Sequence, residues 1–350
     1  MAFFKKYCAV AVLIGSSAVA VAAPPLPQVK MCVFDPQGAS GDAFRAARDF
    51  RYEMLEEGGV DIDAKSYVDE RVAAEDFRTG QCDALMASGL RTKAFNAMAA
   101  SLDSVGASTI IRNGKVDLAA SYDVVRKFIQ LVSLPKAADM MVDGAYEIAG
   151  ILPIGAAYVF VSNKEFASIE GQTAKRFGTF DLDKAEAHMV ERIGARPVSV
   201  DFSNVAAMFN NHNVDMVVLP TIVYMPFELY RGLGTKGAVI RMPMTIATYQ
   251  TVIRPAKFPK GFGQKARTYM ARNFELYMAS LKLADKDVPE NMWVDFSTRD
   301  TERYAVLLRQ GRVLMAEKGF YDKKGLKLIK KIRCSINPAA SECSEQTEEW

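Results

Sequence analysis

Histidine is almost missing from this chain of 350 residues: only His188 and His212 are present. Neither stands near a cysteine, a G-x-S-x-G or a second metal ligand. Nucleophilic and metal-assisted catalysis need such constellations. The sequence therefore argues against an enzyme and implies no cofactor or metal, and both histidines are read as solvated. An excess of one charge is also lacking. The 44 Lys and Arg face 41 Asp and Glu, with no block of either sign. No nucleic acid or membrane surface is expected as a partner. The glycine turn "DPQGASGD" is not a G-x-G-x-x-G, which excludes a nucleotide reading. After the first residues, no segment has the ~20 continuous apolar residues of a membrane span.

What is present is a globular composition, half hydrophobic and a quarter charged. This length exceeds one ordinary core, so two lobes are expected. The opening "MAFFKKYCAVAVLIGSSAVAVAAPPLPQ" has Lys5 and Lys6, a short apolar run broken by Gly15-Ser16-Ser17, and small residues ending Ala20-Val21-Ala22. It reads as a signal peptide over residues 1–22, which places the mature protein in the periplasm. Removing Lys5 and Lys6 from the 44 basic residues leaves 42 against 41 acidic. Export permits disulfides. Cys334 and Cys343, nine residues apart in a polar tail, are expected to pair. Cys32 and Cys82 flank apolar strands without C-x-x-C spacing and read as two small buried hydrophobes.

Along the chain, "VKMCVFD", "VDIDAKSYV" and "CDALMAS" read as strands, with helices "AFRAARDFRYEMLEEGG" and "DERVAAEDFRTG" between them. This alternation implies parallel crossovers and an open α/β sheet. The long stretch "YEIAGILPIGAAYVFVSN", bent by Pro153 and Gly155, suits a crossing between lobes. The pattern then restarts. "GQTAKRFGTF", "ARPVSVD" and "VDMVVLP" read as strands. A helix capped by Asp181 or Asp183 and one capped by Ser203 lie between them. "KGAVIRMPMTIATYQTVIRP" is a candidate return crossing, and amphipathic helices follow from residue 261. The basic tail "YDKKGLKLIKKIRC" reads as a docked helix with a solvated face. Phe77 precedes Asp83 by six residues, as Phe209 precedes Asp215, so a helix-turn-strand device is repeated. Two similar sheets joined by crossing strands describe a hinged clamshell, whose ligand collects at the carboxyl ends of the strands.

The ordered set "LEEGGVDIDAKSY", "DFRTGQCDALM", "YEIAGILPIGAAYVFVSN" and "SIEGQTAKR…AEAHMVERIGARPVSVDFSNVAAMFNNHNVDMVVLP" resembles the TRAP-type (DctP-like) periplasmic solute-binding proteins over residues 29–225. Within that superfamily the chain is most similar to the AdeT-like branch of solute-binding proteins, for which a link to drug efflux has been drawn. The resemblance implies a two-lobed type II periplasmic-binding-protein fold, each lobe an open sheet flanked by helices, joined by hinge strands. Lobe 1 is expected over residues 23–150, with part of 250–350 returning to it. Lobe 2 is expected over 151–249, and C-terminal helices over 261–350 pack across both. The implied function is capture of a small organic ligand, a carboxylate, for delivery to membrane transporter subunits by a monomer. The alternative is an interaction protein of a drug-efflux assembly.

The implied ligand site centres on Arg176, whose planar guanidinium grips a carboxylate with two hydrogen bonds. A one-residue insertion is needed to match the family's arginine, and without it Lys175 faces the cleft instead. Gln37 and Ser40 lie in the glycine-rich turn, whose free N–H groups favour an anion or polar ligand. Ser88 and Arg91 follow the third strand of lobe 1. Thr179 lies beyond Arg176, and Tyr224 could stack on a ligand. The run Met216 to Leu219 makes this wall more apolar than the family pattern.

Overall fold

The computed structural model describes residues 25–349. The expected signal peptide lies outside the described residues. Eight principal strands form one continuous path. They are β1 (Gln28–Phe34), β2 (Asp61–Tyr67), β3 (Ala84–Ser88), β4 (Tyr146–Val161), β5 (Arg176–Phe180), β6 (Arg196–Val200), β7 (Met216–Pro220) and β8 (Ala238–Ile253). Their order is β2-β1-β3-β8-β4-β7-β5-β6, and the two-residue strands Val142–Asp143 and Trp293–Val294 pair with β4 and β8.

The order repeats itself. In each lobe the first strand lies between the second and third, all parallel. The third strand then runs antiparallel to the carboxyl half of a long strand: β3 to β8 in one lobe, β7 to β4 in the other. The 16-residue strands β4 and β8 pair antiparallel along their length and pass through both lobes. They are the crossings anticipated from their length.

Crossover helices cover the sheet in the expected places. In lobe 1, α1 (Asp42–Glu53) buries Ala43, Ala47 and Phe50, and α2 (Glu70–Arg78) buries Ala73, Ala74 and Phe77. That spacing is one helical stripe on the sheet. In lobe 2, α3 (Lys184–Arg192) buries Ala185, Met189 and Val190, and the short α4 (Val205–Asn210) buries Val205 and Phe209.

C-terminal helices close the molecule. Phe262 and Met270 of the helix Phe262–Arg272 join the lobe 1 core, whereas Tyr304 and Leu308 of Thr298–Glu317 join the core holding Phe177 and Met189. The tail helix Lys323–Ile336 is docked, but its basic face is not all solvated. Arg333 is buried against Glu342 and Glu348, and Arg312 meets Glu348 at 2.7 Å. Burial would raise the Glu348 carboxyl, but the two guanidinium groups hold it down at about 2.

Both cysteine pairs are closed. Cys334–Cys343 is as expected, and Cys32–Cys82 is a second disulfide rather than two free thiols. Cys32 lies on β1 and Cys82 just before β3, the strand paired beside it, so their Cα atoms are 5.8 Å apart, within disulfide reach.

Candidate functional site

A cavity of about 680 Å³ lies where the carboxyl ends of the strands meet the crossings. Asp35 and Ser88 reach it from lobe 1, and Phe180, Asp183 and Leu219 from lobe 2. Leu152, Pro153, Met244 and Thr248 come from the two long strands, and Leu281 from the helix Phe274–Ala284. Phe34 of lobe 1 meets Phe202 of lobe 2 at 5.5 Å between ring centroids, and Phe202 meets Phe180 at 4.6 Å. The lobes therefore touch through aromatic rings beside the cavity.

The cavity end of lobe 1 is built around Asp35. Its carboxylate accepts from the backbone N–H of Gln37 at 2.9 Å and of Phe44 at 3.0 Å. Gly41 is required here, because a Cβ at that position would lie 1.9 Å from Asp35 Oδ1. The expectation of free N–H groups in the glycine turn is thus corrected: the chain supplies its own anion to the start of α1. Burial pushes the Asp35 carboxyl up, against those hydrogen bonds.

Lobe 2 repeats the arrangement. Asp183, not Asp181, caps α3, accepting from the N–H of Ala185 and Glu186 at 3.1 Å each. Glu186 takes the N–H of Phe180 at 3.1 Å. Burial, reinforced by Asp183, raises the Glu186 carboxyl well above the usual range. At α4, Asp201 rather than Ser203 takes the free N–H groups, those of Ser203 and Asn204.

A fourth acid of the cavity, Asp103, is held against a crossing strand. A register shift between Ala247 and Thr248 interrupts the β8–β4 ladder. Asp103 accepts from Thr248 N at 2.9 Å and from its hydroxyl at 2.7 Å. Burial pushes the Asp103 carboxyl up to about 7, although Thr248 and Lys93 pull the other way.

Among the proposed site residues, Gln37 and Ser88 line the cavity. Ser40 is exposed beside it and donates to the Gln37 carbonyl. Arg91 lies off the cavity, bonded to the buried Glu70, which also accepts from Ser88 N at 2.8 Å. Thr179 is buried on β5, and Tyr224 stacks on Phe160, with neither facing the cavity. Of the apolar run, Val218 and Leu219 line it, and Met216 and Val217 do not.

Arg176 is placed differently from the expectation. The stretch "GQTAKR" is not all strand. Ser168 caps a helical turn, Ile169–Gln172, and Ala174 turns the chain with φ 62°. β5 therefore begins at Arg176 rather than ending near it, and Arg176 sits at the end away from the cavity. There its guanidinium binds Asp215 at 2.7 and 3.1 Å and the His212 carbonyl at 2.8 Å. Lys175 does not replace it in the cavity, since it lies over the Phe166 ring.

Residue-type reasoning missed Asp35, Asp103, Asp183 and Glu186 as cavity groups. A signal existed for two of them: each first strand is followed at once by acid, "VFD" and "TFDLD". Asp103 had none, because only the tertiary fold brings it to β8.

A family model described as Solute-binding protein AdeT 1/2 matches residues 54–348. The chain belongs to this family. It is 41% identical over 316 residues to the probable solute-binding protein AdeT1 of Acinetobacter baumannii, covering 90% of this chain and 100% of that one. AdeT2 of the same organism is 27% identical over 218 residues, covering 62% and 92%. Among solved structures, a TRAP periplasmic solute-binding protein from Desulfovibrio salexigens with bound orotic acid superposes with a TM-score of 0.68 at 15% identity, covering 89% and 99%. The periplasmic ectoine-binding protein of the TeaABC TRAP-transporter of Halomonas elongata gives 0.64 at 12% identity, covering 89% and 99%. The AdeT family and this TRAP-type two-lobed fold are those of non-enzymatic solute-binding proteins. Among the described residues, no helix is long and apolar enough to cross a membrane.

Proposed function

We propose that the protein captures a small organic solute between its lobes in the periplasm and hands it to the subunits of a membrane transporter. The observation that supports this most is the 680 Å³ cavity, lined by both lobes and both crossing strands. Its size suits one small molecule. A solute that touches both lobes favours the closed arrangement in proportion to its differential affinity for it. The transporter then reads that closed form. Export rests on the signal peptide read over residues 1–22.

The carboxylate expected from the resemblance is not favoured by this lining. Its one base among the described residues, Arg45, pairs with Asp42 at 2.7 Å. The efflux-adaptor reading needs a persistent exposed patch instead of a closing cleft, and a cavity lined by both lobes favours capture. Native mass spectrometry of protein purified from its own host tests the proposal. A retained small molecule, released on denaturation, is expected. A protein that emerges empty, and whose melting is unmoved by the host's low-molecular-mass extract, contradicts it.

A further inference from the structure

Seven acids line the cavity: Asp35, Asp42, Asp49, Asp103, Asp183, Glu186 and Asp287. The only base of the lining among the described residues, Arg45, is exposed and forms a surface pair with Asp42. The N-termini of α1 and α3, which would otherwise attract an anion, are filled by Asp35 and Asp183.

Among the described residues, two of the buried acids accept hydrogen bonds on one carboxylate oxygen alone. Glu186 is 5% exposed, and its only hydrogen bond among the described residues is the one Oε2 accepts from Phe180 N. Asp183 is 8% exposed, and among the described residues both its cap bonds end on Oδ1 and none on Oδ2. Lys93 acts on Asp103 and Glu186 only from beyond ion-pair distance. Buried carboxylates without cationic partners are costly. The rings of Phe180, Phe202 and Tyr249 also line the cavity, together with an apolar wall. Aromatic faces attract desolvated cations. A bare metal ion is not the fitting guest, because no cluster of three or more metal-ligating side chains exists among the described residues.

We propose that the solute is an organic cation, an amine or quaternary ammonium with an apolar body, held by Asp103, Asp183 and Glu186 and by the aromatic faces beside them. This rests on the solute-binding reading and names its ligand class. The charge is supplied by Asp183 and Glu186 of lobe 2 and by Asp103, which is bonded to the crossing strand β8, while Asp35 and Ser88 of lobe 1 line the same cavity.

Isothermal titration of the mature protein with tetraethylammonium, choline and spermidine tests it, against succinate and D-glucuronate. At least one cation should bind and neither acid should. Asp183→Asn, which keeps an acceptor for the helix cap, should weaken that binding at least tenfold with unchanged melting. Glu186→Gln should do the same. Binding of an acid but of no cation overturns the ligand class and leaves solute capture standing. Cation binding that survives both substitutions overturns the assignment of these carboxylates. No binding by either set, from protein that also emerges empty from its host, overturns solute capture itself.

Discussion

The stretch from Phe77 to Asp83 in lobe 1 and that from Phe209 to Asp215 in lobe 2 follow one path. Both phenylalanines are fully buried. Three residues later the chain turns left-handed, at Gly80 with φ 84° and at His212 with φ 56°. The N–H groups of Gln81 and Cys82 return to the Asp76 carbonyl, and those of Asn213 and Val214 to the Met208 carbonyl. Each aspartate then accepts the N–H of a residue at or near the start of the neighbouring first strand, Lys30 at 3.0 Å and Arg176 at 2.8 Å. The lobes differ in what secures this base. In lobe 1, Cys82 is bonded to Cys32 on β1. In lobe 2 the matching places hold Val214 and Gly178, and security comes from Arg176, which forks onto Asp215. The same turn is thus fastened covalently on one side and electrostatically on the other. Arg176 belongs to this fastening and lies away from the cavity.

Three pairs of substitutions sharpen that contrast. The largest effect belongs to the covalent side. Cys32→Ala with Cys82→Ala opens a loop of 50 residues, worth about 4 kcal/mol in the chain-entropy account. Urea denaturation should show that loss. Hydrogen exchange should quicken over residues 28–88 before 176–220, and equal exchange in both would break the contrast. A middle effect belongs to the aspartates. Asp215→Ala removes an ion pair as well as a backbone cap and should cost about 2 kcal/mol, against about 1 kcal/mol for Asp83→Ala. Equal losses would mean that the Arg176 fork contributes nothing. Ligand affinity should not follow Asp215→Ala. The smallest effects come from the turns. Gly80→Ala should cost about 1 kcal/mol, because a Cβ is disfavoured at positive φ. His212→Gly should be neutral or stabilising by about 0.5 kcal/mol by thermal melting.

Much of the architecture was legible because it rests on local chemistry. Apolar runs broken by helix stops marked both lobes, and the two long β stretches are the crossings. The repeat around Phe77 and Phe209 was visible because helix stops are written in adjacent residues. The site was less legible for two physical reasons. A helical turn at Ile169–Gln172, capped by Ser168, shortened β5 and moved Arg176 to the wrong end of it. One short turn mistaken for strand was enough. The cavity's charge, moreover, is a tertiary sum. Near-neutral composition hid it, because basic groups such as Arg176, Arg312 and Arg333 are paired elsewhere while the acids gather at the cleft.

The pH dependence of cation binding tests most directly whether the cleft is a carboxylate-lined trap. Asp103 is bonded to Thr248 on β8 and feels the charges of Lys93 and Asp183, and it acts in turn on the buried Tyr321. Its carboxyl titrates at about 7, raised from 3.8 chiefly by burial. An acid raised in this way gives the unliganded protein stability that is complete below its ordinary value and is lost as pH climbs through about 7. Binding runs the other way, since a cation favours the ionised carboxylate. Titration of tetraethylammonium, or of the cation retained from the host, at pH 5 to 8.5 should therefore show affinity rising through about 7, with proton release near that pH. Asp103→Asn should reduce the rise, leaving the part that comes from Glu186. An affinity that is unchanged, or that falls as pH increases, contradicts the account.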